Sequence, residues 1–390
     1  MSEKKRIPEL DGLRVIMIFI VSWYHIWQQS WLGPIVRIGD FHYSFDWLVR
    51  SGYVWVDGTV LLSAFLMVLP LARQGMEPRL DAADFFRRKA KRILPGYYFI
   101  IIAVFFGICL PWGLYGQNGP YLVKDLATHF TFTFPFWADT YISTPLGAAS
   151  WTLAIIVQGY ALFPLLYLGL RKHPALTLCG MGAVCLGFRA WCLWALGDYS
   201  TVVNQLINFL DVYAIGFLGA MVFARMEKAA DRPREKKREL LIRLGATAVF
   251  ALCLWGTCQM LKVQASSPDH LTLQGRQMMY RPVFALGFCG MILSAPFCLK
   301  PVRWVLGNRV MRFLAGISMN YYLAHQVIIV HMRRIGFPAS VSDTPHMAGE
   351  QPWQNQYTFW AFALSLLAAV LITYGIEKPA GRLVDKLSKN

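Results

Sequence analysis

Apolar residues in this chain neither alternate, as in a half-buried strand, nor recur as one stripe of a surface helix. They fill solid blocks of about twenty positions. The blocks run over 13–31, 52–72, 94–114, 151–170, 174–197, 205–224, 241–261, 279–299, 313–331 and 355–376. About twenty apolar residues in helical form cross a hydrocarbon core of about 30 Å. With no water to satisfy backbone N–H and C=O groups, each block must be a helix. The pattern predicts an all-α polytopic membrane protein of ten transmembrane helices, with both termini on one side. The longest connections are 32–51, 115–150, 262–278 and 332–354, and 119–136 is predicted to include a short helix lying in the interface. No internal repeat is visible, so one membrane domain is expected over 1–390.

Charge sets the orientation. Of the 38 Lys and Arg residues, 29 fall in the terminal and alternate connecting segments on one side of this layout. The other nine are Arg37, Arg50, Lys124, Arg189, Lys262, Arg276, Arg281, Arg333 and Arg334. Cytoplasmic retention of Lys and Arg produces this asymmetry, which places both termini in the cytoplasm. No cleavable signal peptide is expected, because Pro8-Glu9-Leu10-Asp11-Gly12 leads into a full-length span.

Composition agrees. Hydrophobic residues make up 56% and charged residues only 15%, against about 25% charged in soluble domains. The net charge of +16 therefore reflects topology and contact with membrane lipids, and no nucleic-acid partner is expected. The eight cysteines lie mostly in apolar blocks without a CxxC pair, which suits packing better than a disulfide or zinc framework.

Ionisable residues inside spans are costly, by roughly 3 kcal/mol on insertion scales, and so are site candidates. Five stand out: His25, Asp57, Arg189, Asp211 and His325. Arg14 and His25 are eleven residues apart, three turns plus about 20°, so they share a helix face about 16 Å apart along the axis. A cation at the inner mouth and an acid/base deeper in would suit a tunnel, since histidine exchanges protons near neutrality. A histidine bonded to a neighbouring helix, with Arg14 as a topology charge, is the other reading. Asp57 is expected near the depth of His25, to orient the imidazole or cap a break at Gly58. Arg189 and Asp211 are expected to pair, and His325 reads as a lone packing histidine.

The third block opens on Phe85-Phe86-Arg87-Arg88-Lys89-Ala90-Lys91-Arg92-Ile93-Leu94-Pro95. Pro95 fits a first helical turn, and Lys89 and Arg92 would share a face at a helix N-terminus that favours anions. Lipid headgroups would satisfy the same cations. No GxGxxG, Walker loop, GxSxG or HExxH is present, and the scattered His42, His129 and His346 lack metal-ligand spacing, so no metal is expected.

In order, these pieces resemble the membrane acyltransferase-3 superfamily. Arg14, ten residues, then His25 is similar to its Arg-x10-His signature. Val56-Asp57-Gly58-Thr59-Val60-Leu61-Leu62-Ser63-Ala64-Phe65-Leu66 resembles its "VDLFFVLSGFL" segment. Lys89 to Pro95 is similar to its RxxR-x-x-P motif, with Lys89 in place of the first arginine. Gly316-Ile317-Ser318 with Tyr322-Leu323-Ala324-His325, and the closing Glu377-Lys378-Pro379, complete the series. One frame departs: Trp151, Gln158, Tyr160 and Pro164 match "WSLAVEEQFY…P", but its two glutamates are Ile156 and Val157 here. The extracytoplasmic hydrolase-like domain fused to some relatives is not expected.

The resemblance implies a membrane O-acyltransferase of the bacterial inner membrane. It would move an acyl group, acetyl in the first instance, from cytoplasmic acetyl-CoA to a hydroxyl of an envelope glycan or glycolipid precursor. Arg14, Arg88, Lys89 and Arg92 would then bind the CoA phosphates, with His25 and Asp57 in the chemistry. Trp151, Gln158, Tyr160, Arg189, Asp211 and His325 would line the passage. A homo-oligomer is compatible with this scaffold. A non-catalytic partner or sensor, favoured by the missing glutamates, and a small-molecule transporter stay open as rivals.

Overall fold

The computed structural model describes residues 6–231 and 235–387. Lys4, Lys5, Arg232, Arg234 and Lys389, counted above among the retained cations, lie outside the described residues.

Among the described residues, ten helices are long and apolar enough to span a membrane, one for each block. We label them α1 (Pro8–Ser30), α2 (Trp55–Ala72), α3 (Ala82–Val104), α4 (Trp151–Lys172), α5 (Pro174–Ala195), α6 (Leu210–Ala230), α7 (Lys236–Ala265), α8 (His270–Ser294), α9 (Arg309–Arg334) and α10 (Gln351–Ile372); shorter helices are named by their residues. The chain divides into two compact units. Unit 1 comprises Met1–Val21, Ser51–Leu80 and Ala161–Gly316, and unit 2 comprises Ser22–Arg50, Asp81–Tyr160 and Ile317–Asn390.

In unit 1, α2 is the central helix, with 72% of its apolar window buried, whereas α7 has 6% and is peripheral. The outward residues of α7 include Leu240, Leu241, Leu252 and Trp255, which suits contact with lipid tails. Small residues let α6 and α2 approach closely. A Cβ on Gly216 would meet the Leu61 carbonyl oxygen and the Ala64 methyl, each at 2.8 Å. Gly12 likewise seats α1 against the short helix Lys300–Gly307, where a Cβ would come 2.6 Å from Leu306 Cα.

Unit 2 holds the only strands among the described residues, β1 (Ile35–Ile38) and β2 (Phe41–Ser44), an antiparallel hairpin pairing Ile35 with Ser44 and Ile38 with Phe41. The expected short helix within 119–136 is Gly119–Phe130, capped by Asn118, whose side chain accepts from Tyr121 N at 3.0 Å. Gly96 is required where α3 meets α9, because a Cβ there would collide with Asn320 Oδ1.

Helix ends depart from the apolar blocks. Asp81 caps α3 by accepting from Asp84 N at 3.0 Å, so the helix begins at Ala82 and the basic run is already helical. Pro95 is therefore inside the helix, not in its first turn, and Lys89 and Arg92 do not stand at a helix N-terminus. The helix therefore offers no exposed N–H groups to an anion at those residues. Asp269 caps α8 in the same way, accepting from Thr272 N at 2.8 Å, and this moves Arg281 well inside the helix. Two π turns, Phe105–Cys109 and Thr373–Glu377, continue α3 and α10.

Candidate functional site

In unit 2, His25 on α1 and His325 on α9 face each other, with ring centroids 5.3 Å apart and planes tilted by 48°. Their sequence separation of three hundred residues hid this pairing, and His325 is not the lone histidine it resembled. His25 Nδ1 is 2.9 Å from Gln28 Oε1, and Gln28 Nε2 donates to the Tyr24 hydroxyl at 2.9 Å. His325 Nδ1 is 2.5 Å from the Tyr322 carbonyl oxygen. Amide and peptide oxygens only accept, so each Nδ1 carries the proton and each Nε2 keeps its lone pair. His25 is half-buried and His325 fully buried, and among the described residues its Nε2 has no hydrogen-bond partner.

Aromatic rings frame the pair. Tyr321 lies parallel to His325 at 6.0 Å, and its hydroxyl meets Ser22 Oγ at 2.7 Å, one turn before His25. Tyr24 stands edge-on to His25 at 5.0 Å. The segment 110–150 is fastened to the same stretch of α9: Ala149 N donates to Gln326 Oε1, and the Tyr322 hydroxyl donates to Ala149 O. Gln158 Nε2 donates to Phe132 O at 2.9 Å, so this residue anchors that segment. The segment has its own polar core. Buried Asp125 accepts from the Tyr115 hydroxyl at 2.8 Å and Thr144 Oγ1 at 2.9 Å. Burial, then the bond to Asp125, pushes the Tyr115 phenol up. Bonds from Lys124 hold the Asp139 carboxyl below its ordinary range.

The basic residues of α3 separate into different roles. Arg88 and Arg87 both pair with Asp84, the latter at 2.8 Å. Lys89 Nζ stands over the Tyr160 ring at 4.2 Å and the Phe85 ring at 5.5 Å. Tyr160 thus positions a cation through its ring face. Arg92 acts electrostatically on Glu377; that carboxylate and Thr373 Oγ1 accept from Asn320 Nδ2 at 2.5 and 2.8 Å. Arg14 is half-buried on α1 and Trp151 half-buried at the start of α4.

Unit 1 contains a separate charge network. Arg189 and Asp211 pair as expected, through Nη1–Oδ2 at 2.7 Å and Nη2–Oδ1 at 2.9 Å. Arg189 also donates to Asn208 Oδ1 and O at 2.7 and 2.8 Å. Asp57 departs from expectation. Its Oδ1 accepts from Arg281 Nε at 3.2 Å, while the imidazole it was to orient is held by Gln28. Arg281 is fully buried, under the Phe209 ring at 3.8 Å, and donates to Val203 O and Asn208 O at 2.8 and 3.2 Å. Arg281 stands in the sequence only as one of the nine cations outside the inner segments. The signal was arithmetic: Asp57 and Asp211 are two buried anions, and Arg189 is one cation. A cavity of about 230 Å³ lined by residues including Glu239, Arg243 and Arg303 contains none of the candidate residues.

Comparison with known proteins adds identity. The chain is 23% identical over 398 residues to a protein named putative peptidoglycan O-acetyltransferase YrhL of Bacillus subtilis, covering 96% of this chain and 54% of that one. It is 25% identical over 357 residues to the peptidoglycan O-acetyltransferase OatA of Listeria monocytogenes, covering 84% and 50%. The chain thus spans about half the length of these curated relatives. No solved structure gives a significant match. Ten spans and these bacterial relatives make it a multi-pass integral protein of a bacterial membrane. A family model described as an acyltransferase domain matches residues 7–378. Covering all ten spans, that match shows that the chain belongs to the membrane acyltransferase-3 family.

Proposed function

We propose that this protein is a membrane O-acetyltransferase, with cytoplasmic termini, that moves an acetyl group from acetyl-CoA to a hydroxyl of a cell-envelope glycan or its lipid-linked precursor. The observation that carries the reading is His25, whose Nδ1 is fixed by Gln28 while Nε2 keeps a lone pair on a half-buried ring. The names of the relatives support the acceptor class.

In this reading the acceptor hydroxyl oxygen attacks the thioester carbonyl carbon as its proton passes to His25 Nε2. The tetrahedral intermediate collapses, the C–S bond breaks, and the His25 proton goes to the departing thiolate. An ester and free CoA result, with His25 unchanged. A positioned base of this kind contributes about 10²–10⁴ in rate. Lys89 and Arg92 provide cations for the donor phosphates, while Arg88 is partly neutralised by Asp84. Asp57, tied to Arg281, holds structure.

The test is transfer of labelled acetyl from acetyl-CoA to glycan fragments by the purified protein in lipid nanodiscs. The reading expects transfer by the parent and loss of about a hundredfold or more in His25→Ala. Full transfer by His25→Ala would end it. A parent with no transfer and weak or absent acetyl-CoA binding would favour a non-catalytic partner, which Ile156 and Val157 in the glutamate positions also favour. Movement of a solute without acetyl-CoA would favour a transporter.

A further inference from the structure

His325 is unused by the mechanism above, yet its ring is 5.3 Å from that of His25. Three observations define what it can do. Its Nδ1 is committed to the Tyr322 carbonyl within its own helix, which leaves Nε2 at the tip of the side chain, away from the α9 backbone. Among the described residues that buried Nε2 has no hydrogen-bond partner, and a buried acceptor in this state is costly. Finally, the ring is held in place: Tyr321 lies parallel to it, and Tyr321 is itself pinned to α1 through Ser22. A residue kept only for packing would not need a bare acceptor beside a second imidazole.

We infer that His325 is a positioning residue of the transfer step, whose Nε2 accepts a hydrogen bond from His25 when His25 becomes an imidazolium; this rests on the function proposed above. As neutral bases the two nitrogens both present lone pairs and cannot bond to each other. Once the acceptor hydroxyl gives its proton to His25 Nε2, that N–H⁺ can be shared with His325 Nε2. A hydrogen bond from a charged donor is roughly twice as strong as a neutral one. The contact is made in the charged intermediate and not in the resting state, so it favours the transition state selectively. The proton then goes to the thiolate, and both rings return to neutrality with no net change. Gln28 cannot do this, because its oxygen is already engaged at Nδ1 in both states. The other titratable groups close to the pair are Tyr24, Tyr321 and Tyr322, with Tyr141 acting on Tyr24 and Tyr322; none carries a positive charge that would compete for the His325 lone pair.

The experiment compares His325→Phe, which keeps a ring without an acceptor, with His325→Gln, which keeps a side-chain acceptor without a titrating ring. Steady-state acetyl transfer and thermal unfolding are measured in nanodiscs for both, beside the parent and His25→Ala. The expected result is a fall in kcat of about a hundredfold for His325→Phe, with KM for acetyl-CoA within twofold of the parent. His325→Gln should recover at least tenfold of that loss, and both variants should unfold within a few degrees of the parent. Parental kcat in His325→Phe would overturn the inference. So would a His325→Gln no better than Phe, or a loss of activity that only tracks a loss of stability. An inactive parent or an active His25→Ala would instead remove the function on which the inference stands. With an active parent and an inert His25→Ala, the two failures are separable.

Discussion

Arg281 Nε lies 3.2 Å from Asp57 Oδ1, and neither side chain is more than 1% exposed. The pair joins α8 to α2 in the interior of unit 1. Arg281 also satisfies the Val203 and Asn208 carbonyl oxygens. Arg281→Met should therefore strand a buried carboxylate, at a cost of about 3–5 kcal/mol. Asp57→Leu with Arg281→Met should be far less damaging than the two single costs added together. Unfolding of the four proteins of this cycle in detergent gives the coupling directly; additive effects would refute the pairing.

Arg189 makes four hydrogen bonds to Asp211 and Asn208, two of them as a fork onto the carboxylate. A lysine carries the same charge but cannot reproduce that fork. Arg189→Lys is expected to lower stability by about 2–3 kcal/mol, while leaving KM for acetyl-CoA unchanged. A parental melting temperature in this variant would contradict the geometry.

Gln28 is exposed, yet it fixes the proton on His25 Nδ1. Gln28→Leu should leave the fold intact, since exposed substitutions usually change stability by under about 0.5 kcal/mol. Its kcat should nevertheless drop on the order of tenfold, because the imidazole can then adopt the wrong tautomer. Measuring kcat and the melting temperature on one preparation separates the two effects.

Lys89 is held over Tyr160 by cation–π contact. Lys89→Met should raise KM for acetyl-CoA about tenfold with little change in kcat, the loss of one ionic contact of about 1.4 kcal/mol. Tyr160→Phe keeps the ring face and should be mild; Tyr160→Leu should approach the Lys89 variant. Parental KM in Lys89→Met would take this cation out of donor binding.

Gly12 has no room for a side chain against the Leu306 backbone. Backbone cannot swing aside as a long side chain can, so Gly12→Ala should cost at least about 1–3 kcal/mol through overpacking. Expression level and thermal unfolding test this. It also explains the glycine of the opening motif by packing, with no catalytic duty.

The ten spans were legible because a bilayer demands long apolar blocks, and each block became a helix. What the blocks could not reveal is where helices begin. Asp81 and Asp269 start α3 and α8 outside the apolar stretch, which makes Pro95 an interior residue and carries Arg281 well inside α8. The pairing of Arg189 with Asp211 was readable from two opposite charges on consecutive spans. The meeting of His25 with His325 was not, because nothing in local pattern links the first span to the ninth. Gln28 was overlooked for a simpler reason: a glutamine one turn from a histidine is unremarkable until its oxygen is seen at the ring nitrogen.

The order of segments along the chain carries a consequence for biogenesis. Every stretch assigned to unit 1 has been synthesised once Gly316 is made, whereas unit 2 still lacks the rest of α9 and all of α10. Until those last residues emerge, the half of α1 that bears His25 has no His325 opposite it, and Asn320 is missing from Gly96. A ribosome stalled before Gln351 would thus leave in the bilayer a nascent product with its arginine–aspartate network assembled and its α10 contacts unmade.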